Sequence, residues 1–168
     1  MLKSVLSEKT CGQCRNCCVF YSKSRWETPS VPVENAEKIR SFLKCETVVE
    51  ENGNICKIQS VARSEFPDGA EEYKCPALDE NSGCTLPAEL KPIECSMWPL
   101  RVMKDGLDVY ITLATGCHAV DDDFTNAVNL LLKNGLYEKI SETVKKDRAI
   151  IRDYDSSYLK LMKITEEN

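Results

Sequence analysis

The spacing of hydrophobic and polar positions changes several times along the chain, and each change marks a predicted element. After Pro32, Ile39, Phe42 and Leu43 recur at helical spacing, with Glu34 and Glu37 early and Lys44 late. That pattern predicts a helix over 33–44, its charges placed to suit the helix dipole, with Cys45 at its end. Thr47-Val-Val and Ile55-Cys-Lys-Ile-Gln flank Asn52-Gly53, a pair that tolerates positive φ and signals a hairpin. A second hairpin is predicted where Leu100-Arg-Val-Met-Lys104 meets Asp105-Gly106, after which Leu107, Val109, Ile111 and Leu113 alternate onto one face. Together the hairpins predict a small antiparallel sheet.

Proline shapes the segments between these elements. Pro29-Ser-Val-Pro32 reads as a loop or turn closing residues 1–32. Residues 64–99 hold Pro67, Pro76, Pro87, Pro92 and Pro99, five of the seven prolines, and so exclude a long helix or a central strand. From Val120 the chain has neither proline nor cysteine. Asp121-Asp-Asp123 opens a helix with Phe124, Val128, Leu131 and Leu132 on one face, closed by Gly135. The three carboxylates read as a helix N-terminus, since a consecutive run does not aim them at one cation. One or two further helices are predicted over 136–163, with Ile140, Val144, Ile151, Tyr154, Tyr158 and Met162 as the apolar stripe. The expected fold is therefore α+β: an irregular, cysteine-rich, metal-stapled domain with short antiparallel hairpins over residues 1–118, and a C-terminal helical segment over 119–168 packed on it.

Composition narrows the function. With 168 residues the chain fits one domain, or one domain with a helical appendage. Lys+Arg 22 against Asp+Glu 27 leaves a net charge of -5, which argues against a phosphate backbone as partner, so no nucleic acid is expected. No stretch approaches the ~18 consecutive apolar residues of a membrane span. The first ten residues hold no apolar signal core, no Asn-x-Ser/Thr triplet occurs, and the expected location is cytoplasmic. His118 is the only histidine, which excludes zinc sites built on two or three imidazoles. Neither a Gly-x-Gly-x-x-Gly nor a phosphate-binding Gly-x4-Gly-Lys motif is present.

What remains is cysteine. There are ten: Cys11, Cys14, Cys17, Cys18, Cys45, Cys56, Cys75, Cys84, Cys95 and Cys117. In a reducing cytosol, clustered thiols more often bind metal than form disulfides, and thiols committed to metal leave a lean apolar core that needs such staples. Cys11-Gly-Gln-Cys14-Arg-Asn-Cys17-Cys18 is the most specific string. Each Cys-x2-Cys loop turns two thiolates toward one site, as in the C-x2-C-x2-C run of bacterial ferredoxins. Adjacent side chains project apart, so the Cys17-Cys18 doublet suggests two neighbouring sites or one polynuclear cluster. Cys75, Cys84, Cys95 and Cys117 supply four more thiols, with Gly12, Gly83 and Gly116 beside cysteines, where backbone can approach sulfur closely. Lys9, Arg15 and Arg101 are candidate counter-charges.

Cys11 to Cys18, the helix beginning Val33-Glu-Asn-Ala-Glu-Lys-Ile, Cys75-x2-Leu, Cys84-x-Leu, Lys91-Pro-x2-Cys95-x2-Trp-Pro99 and Cys117 together resemble the CxxCxxCC cysteine-cluster family, described as a zinc- or iron-chelating domain. The resemblance covers about residues 8–118. Lys91 stands where that family usually has Arg, and His118 where Pro-Gly is common. The resemblance implies metal ligation by Cys11, Cys14, Cys17, Cys18, Cys75, Cys84, Cys95 and Cys117. Flagellin lysine methylase looks like a larger relative, but no S-adenosylmethionine motif is recognisable here.

The leading expectation is a metal-binding protein carrying one or two cysteine-ligated iron–sulfur clusters, [4Fe–4S] in type, for electron transfer or as part of a maturation or modification system. Its all-sulfur donors and Cys75-Pro76, which resembles the remote Cys-Pro ligand of ferredoxins, favour it. The alternative is a structural Zn2+ module with four-cysteine sites that folds a protein-interaction surface. A redox or protein-modifying enzyme ranks third, with Cys18 and Cys56 as candidate reactive thiols. A protein partner is expected in the first two cases. Cys45 and Cys56 fall outside the pattern and read as core thiols. His118 reads as solvent-facing or hydrogen-bonded, ahead of a ligand role beside Cys117, and Trp26 and Trp98 as ordinary aromatic packing.

Overall fold

The computed structural model describes residues 2, 4–6, 10, 14–20, 28–45, 47–49, 55–58, 60–65 and 71–165. The chain divides into two compact units, Glu8–Cys95 and Met1–Ser7 with Ser96–Asn168. The units part between Cys95 and Ser96, and the change of composition near residue 118 falls inside the second of them.

The Glu8–Cys95 unit runs β1 (Val19–Phe20), β2 (Ser30–Pro32), α1 (Val33–Leu43), β3 (Thr47–Val49), β4 (Ile55–Ile58), β5 (Val61–Glu65), β6 (Glu71–Lys74), β7 (Leu78–Asp79) and β8 (Gly83–Cys84). The helix α1 forms as its pattern predicts, burying Ala36 and Ile39. Lys44, in the left-handed region at φ 51, turns the chain off the helix toward Cys45. Three small antiparallel sheets follow, in the orders β1-β6-β5, β2-β4-β3 and β7-β8. The β3–β4 pair is the first predicted hairpin, with Val49 opposite Cys56; its Asn52-Gly53 turn lies outside the described residues. Two expectations fail here. Ser30–Pro32 is a strand, because the free side of β4 pairs with it. And β6 is a central strand, short enough to fit between Pro67 and Pro76. The core is Val31, Ile39, Ile58, Ala77 and Leu86, against which Leu43, Cys45, Cys75 and Leu90 pack.

The short helix α2 (Ile93–Met97) crosses the unit boundary and leads to β9 (Leu100–Asp105), β10 (Asp108–Ala114), α3 (Asp122–Leu131), α4 (Tyr137–Lys146), β11 (Ile151–Asp153) and β12 (Tyr158–Ile164). A four-stranded sheet runs β11-β9-β10-β12, with β11 parallel to β9 and the other pairs antiparallel. The two hairpins therefore lie in separate sheets rather than one. Asp105 pairs with Asp108, leaving Gly106-Leu107 as a two-residue loop. Gly106 has φ 61, which a tight hairpin needs, and Leu107 is fully exposed instead of joining the buried face. Asp121 caps α3, its carboxylate accepting from Phe124 N at 2.7 Å, as the acidic run predicts. Gly135, φ 98, sits at the kink between α3 and α4.

The last predicted helix is the main correction. Helix ends at Lys146, and residues 151–153 and 158–164 are strands. Tyr158-Leu-Lys-Leu-Met-Lys-Ile carries apolar residues that suit either period. The open edge of β10 satisfies its backbone from Val109↔Ile164 to Ala114↔Tyr158, with one irregularity at Ile111/Thr112. Among the described residues no helix is long and apolar enough to cross a membrane.

Candidate metal centre

Five segments of the Glu8–Cys95 unit bring thiols together. Arg15, φ 57, bends the loop after Cys14, and Cys18 N donates to Arg15 O at 2.8 Å, closing a turn over Asn16–Cys18. That turn feeds β1, which pairs with β6 as Val19↔Lys74. Cys18, just before β1, and Cys75, just after β6, therefore come alongside, and Cys75 N donates to Cys18 O at 2.8 Å. From Cys75 the chain turns, Leu78 N donating to Cys75 O at 2.9 Å, into the β7–β8 pair that sets Leu78 opposite Cys84. Thr85 N and Oγ1 both donate to Ala77 O, at 2.8 and 3.0 Å. The Asp79 carboxylate closes this hairpin, accepting from Asn81 N, Ser82 N and Ser82 Oγ at 3.0, 2.7 and 2.8 Å. Those bonds, led by the Ser82 hydroxyl, hold its pKa below the usual carboxylate value.

Glu80, at the tip of the hairpin, ties it to the cysteine loop. Its carboxylate lies 3.1 Å from Arg15 and 3.4 Å from Lys74. Partly exposed pairs of this kind contribute modestly, but they bridge two cysteine-bearing segments. Arg15 thus has a carboxylate partner, and Arg101 lies over the Trp98 ring at 5.5 Å in the other unit. Lys9 and Trp26 lie outside the described residues.

The thiols report one another electrostatically. The Cys18 thiol is pushed far up, first by its hydrogen bond with Cys17, then by burial and by the charges of Cys17, Cys75 and Cys95. Burial pushes the Cys75 thiol up to about 11; a backbone bond at Ala77 opposes this, and Cys84, Cys45 and Cys17 add to it. Cys17 and Cys84 are exposed, while Cys14, Cys18, Cys45, Cys75 and Cys95 are half-buried, and none of these is in a disulfide. Adjacent cysteines were expected to splay. Instead the turn brings the Cys17 and Cys18 sulfurs to 3.9 Å, close to the ~3.8 Å edge of a tetrahedron with metal–sulfur bonds of about 2.3 Å.

The residues fit a thiophilic ion in donor type, and the amide support at Cys75 is what a ligating sulfur requires. As the side chains stand, no group of three or more His, Cys, Asp or Glu among the described residues is placed to hold a metal ion. Of the expected ligands, Cys17, Cys18, Cys75, Cys84 and Cys95 share this region. Cys14 adjoins them in sequence, and Cys11 lies outside the described residues. Cys117 is buried in the other unit, in a turn after β10, with His118 exposed beside it. Cys45 packs on the apolar core beside Cys75, and Cys56 lies on β4 opposite Val31 and Val49.

Sequence reasoning missed Glu80 and Glu94. Glu94 is 2% exposed, and its Oε2 accepts from Ser30 N, tying α2 to β2. The one available signal was a carboxylate inside the apolar Pro-Ile-Glu-Cys-Ser-Met-Trp run. Compared with protein-family models, curated proteins and solved structures, the chain matches none.

Proposed function

We propose that this protein is a cysteine-ligated metal-binding protein of the CxxCxxCC cysteine-cluster kind, carrying an iron–sulfur cluster for electron transfer or within a maturation or modification system. The observation that supports it is that Cys17, Cys18, Cys45, Cys75, Cys84 and Cys95, none of them in a disulfide, all lie near enough to act on Cys18 or Cys75, whose backbones are hydrogen-bonded. Free thiols that raise one another's pKa are destabilised as a group of thiolates, and a bound cation removes that repulsion. Cys14, Cys17, Cys18, Cys75, Cys84 and Cys95 are the proposed ligands within this unit; the family resemblance also names Cys11 and Cys117 as ligands. A bound cluster supplies reversible one-electron transfer. The chain itself contributes the hydrogen bonds that orient Cys75, the Asp79 turn that presents Cys84, and the Glu80 pairs that hold the loop. A protein partner in the cytoplasm completes the reading.

A structural zinc module is the second reading, favoured by the 3.9 Å spacing of the Cys17 and Cys18 sulfurs. Two ligands of one ion sit that close, whereas a cubane gives each iron its own terminal thiolate and spreads them. The enzyme reading gains nothing, since the raised Cys18 thiol is a poor source of thiolate. The deciding experiment is iron, zinc and acid-labile sulfide per chain after anoxic purification, with an absorption spectrum. Iron and sulfide in similar amounts support the cluster; stoichiometric zinc without sulfide selects the module; neither metal refutes both. Cys14→Ser is expected to lower metal content and stability together.

A further inference from the structure

Glu94 lies in the short helix α2, immediately before Cys95, and is almost fully buried. A buried carboxyl needs hydrogen-bond partners to offset its lost hydration, and this one accepts the main-chain N–H of Ser30, 64 residues away in sequence. Ser30 is itself buried and begins β2, pairing with Lys57. The next residue, Val31, belongs to the core against which Cys45 and Cys75 pack. One path of contacts therefore runs from Cys95 through Glu94 and Ser30 to the core beneath Cys75.

We infer that Glu94 is a positioning residue of the thiol centre, its carboxyl fixing α2 to β2 so that Cys95 is held near Cys18. The inference rests on the thiolate-centre reading above and adds a residue that ligates nothing itself. Outer-shell groups of this kind typically govern metal affinity by about 10–100-fold.

The test uses the full chain and cobalt(II) as probe, following the sulfur-to-metal charge-transfer band under anoxic conditions. Glu94→Met, which keeps the volume and removes the acceptor, is expected to weaken cobalt binding by about 10–100-fold. Glu94→Gln, whose amide oxygen accepts the same bond, is expected to stay within a few-fold of wild type. Because Glu94 acts through Cys95, adding Glu94→Met to Cys95→Ser should weaken binding no further than Cys95→Ser alone. A folded Glu94→Met chain with wild-type affinity overturns the inference, as do full additivity in the double variant and an equal loss in Glu94→Gln. Should wild type take up no cobalt, the thiolate-centre reading fails on its own. Cys95 alkylation by iodoacetamide in the metal-free chain then decides the positioning: a several-fold faster rate in Glu94→Met but not Glu94→Gln supports it, and equal rates overturn it.

Discussion

The raised Cys75 thiol makes the metal-free chain sensitive to alkali in a defined window. Its pKa rises from 9.0 to about 11, chiefly because burial disfavours the thiolate. The folded state thus holds the Cys75 proton more tightly than the unfolded chain does. Stability from this group is fully present below pH 9.0 and is lost as pH rises through about 11. At about 1.4 kcal/mol per pH unit the loss amounts to about 3 kcal/mol, a large part of the 5–15 kcal/mol typical of a domain. The assay is urea unfolding of reduced, chelator-treated protein, followed by circular dichroism from about pH 8 to about pH 11.5, on wild type and Cys75→Ala. Lysine and tyrosine titrations are common to both chains, so the difference between the two curves reports Cys75 together with its coupling to Cys18. Wild type should lose about 3 kcal/mol more than the variant across the window. Parallel curves would refute the argument that Cys75 is desolvated among its neighbours.

Three further outcomes test the structure. Ile39, fully buried in the core beneath Cys45 and Cys75, should cost about 2–5 kcal/mol on Ile39→Ala, read by denaturant midpoint. Asp121→Ala removes the acceptor for Phe124 N and should cost about 1 kcal/mol in the same measurement, with the fold kept. Cys45→Ala should leave metal per chain unchanged and cost about 1 kcal/mol of packing; loss of metal there would make Cys45 a ligand instead of a core thiol.

Local rules carried much of the reading. Helix α1, both hairpins and the Asp121 cap follow from periodicity, turn residues and capping chemistry, because each is settled by interactions within a few residues. Cysteine spacing marked Cys17, Cys18, Cys75, Cys84 and Cys95, which share one region, and also Cys117, which lies in the other unit. The sequence alone did not determine the fate of residues 151–164, since their apolar positions suit a helix or a strand, and the choice fell to the unpaired edges of β9 and β10. Ser30–Pro32 became a strand for the same reason, beside β4. Nor did spacing reveal that a tight turn draws the Cys17 and Cys18 sulfurs together, or that Cys45 shares their surroundings. Glu94 shows the limit most plainly: its partner is 64 residues away, and only the packing of α2 against β2 makes a buried carboxyl there stable, because its hydrogen bond exists in the folded chain alone.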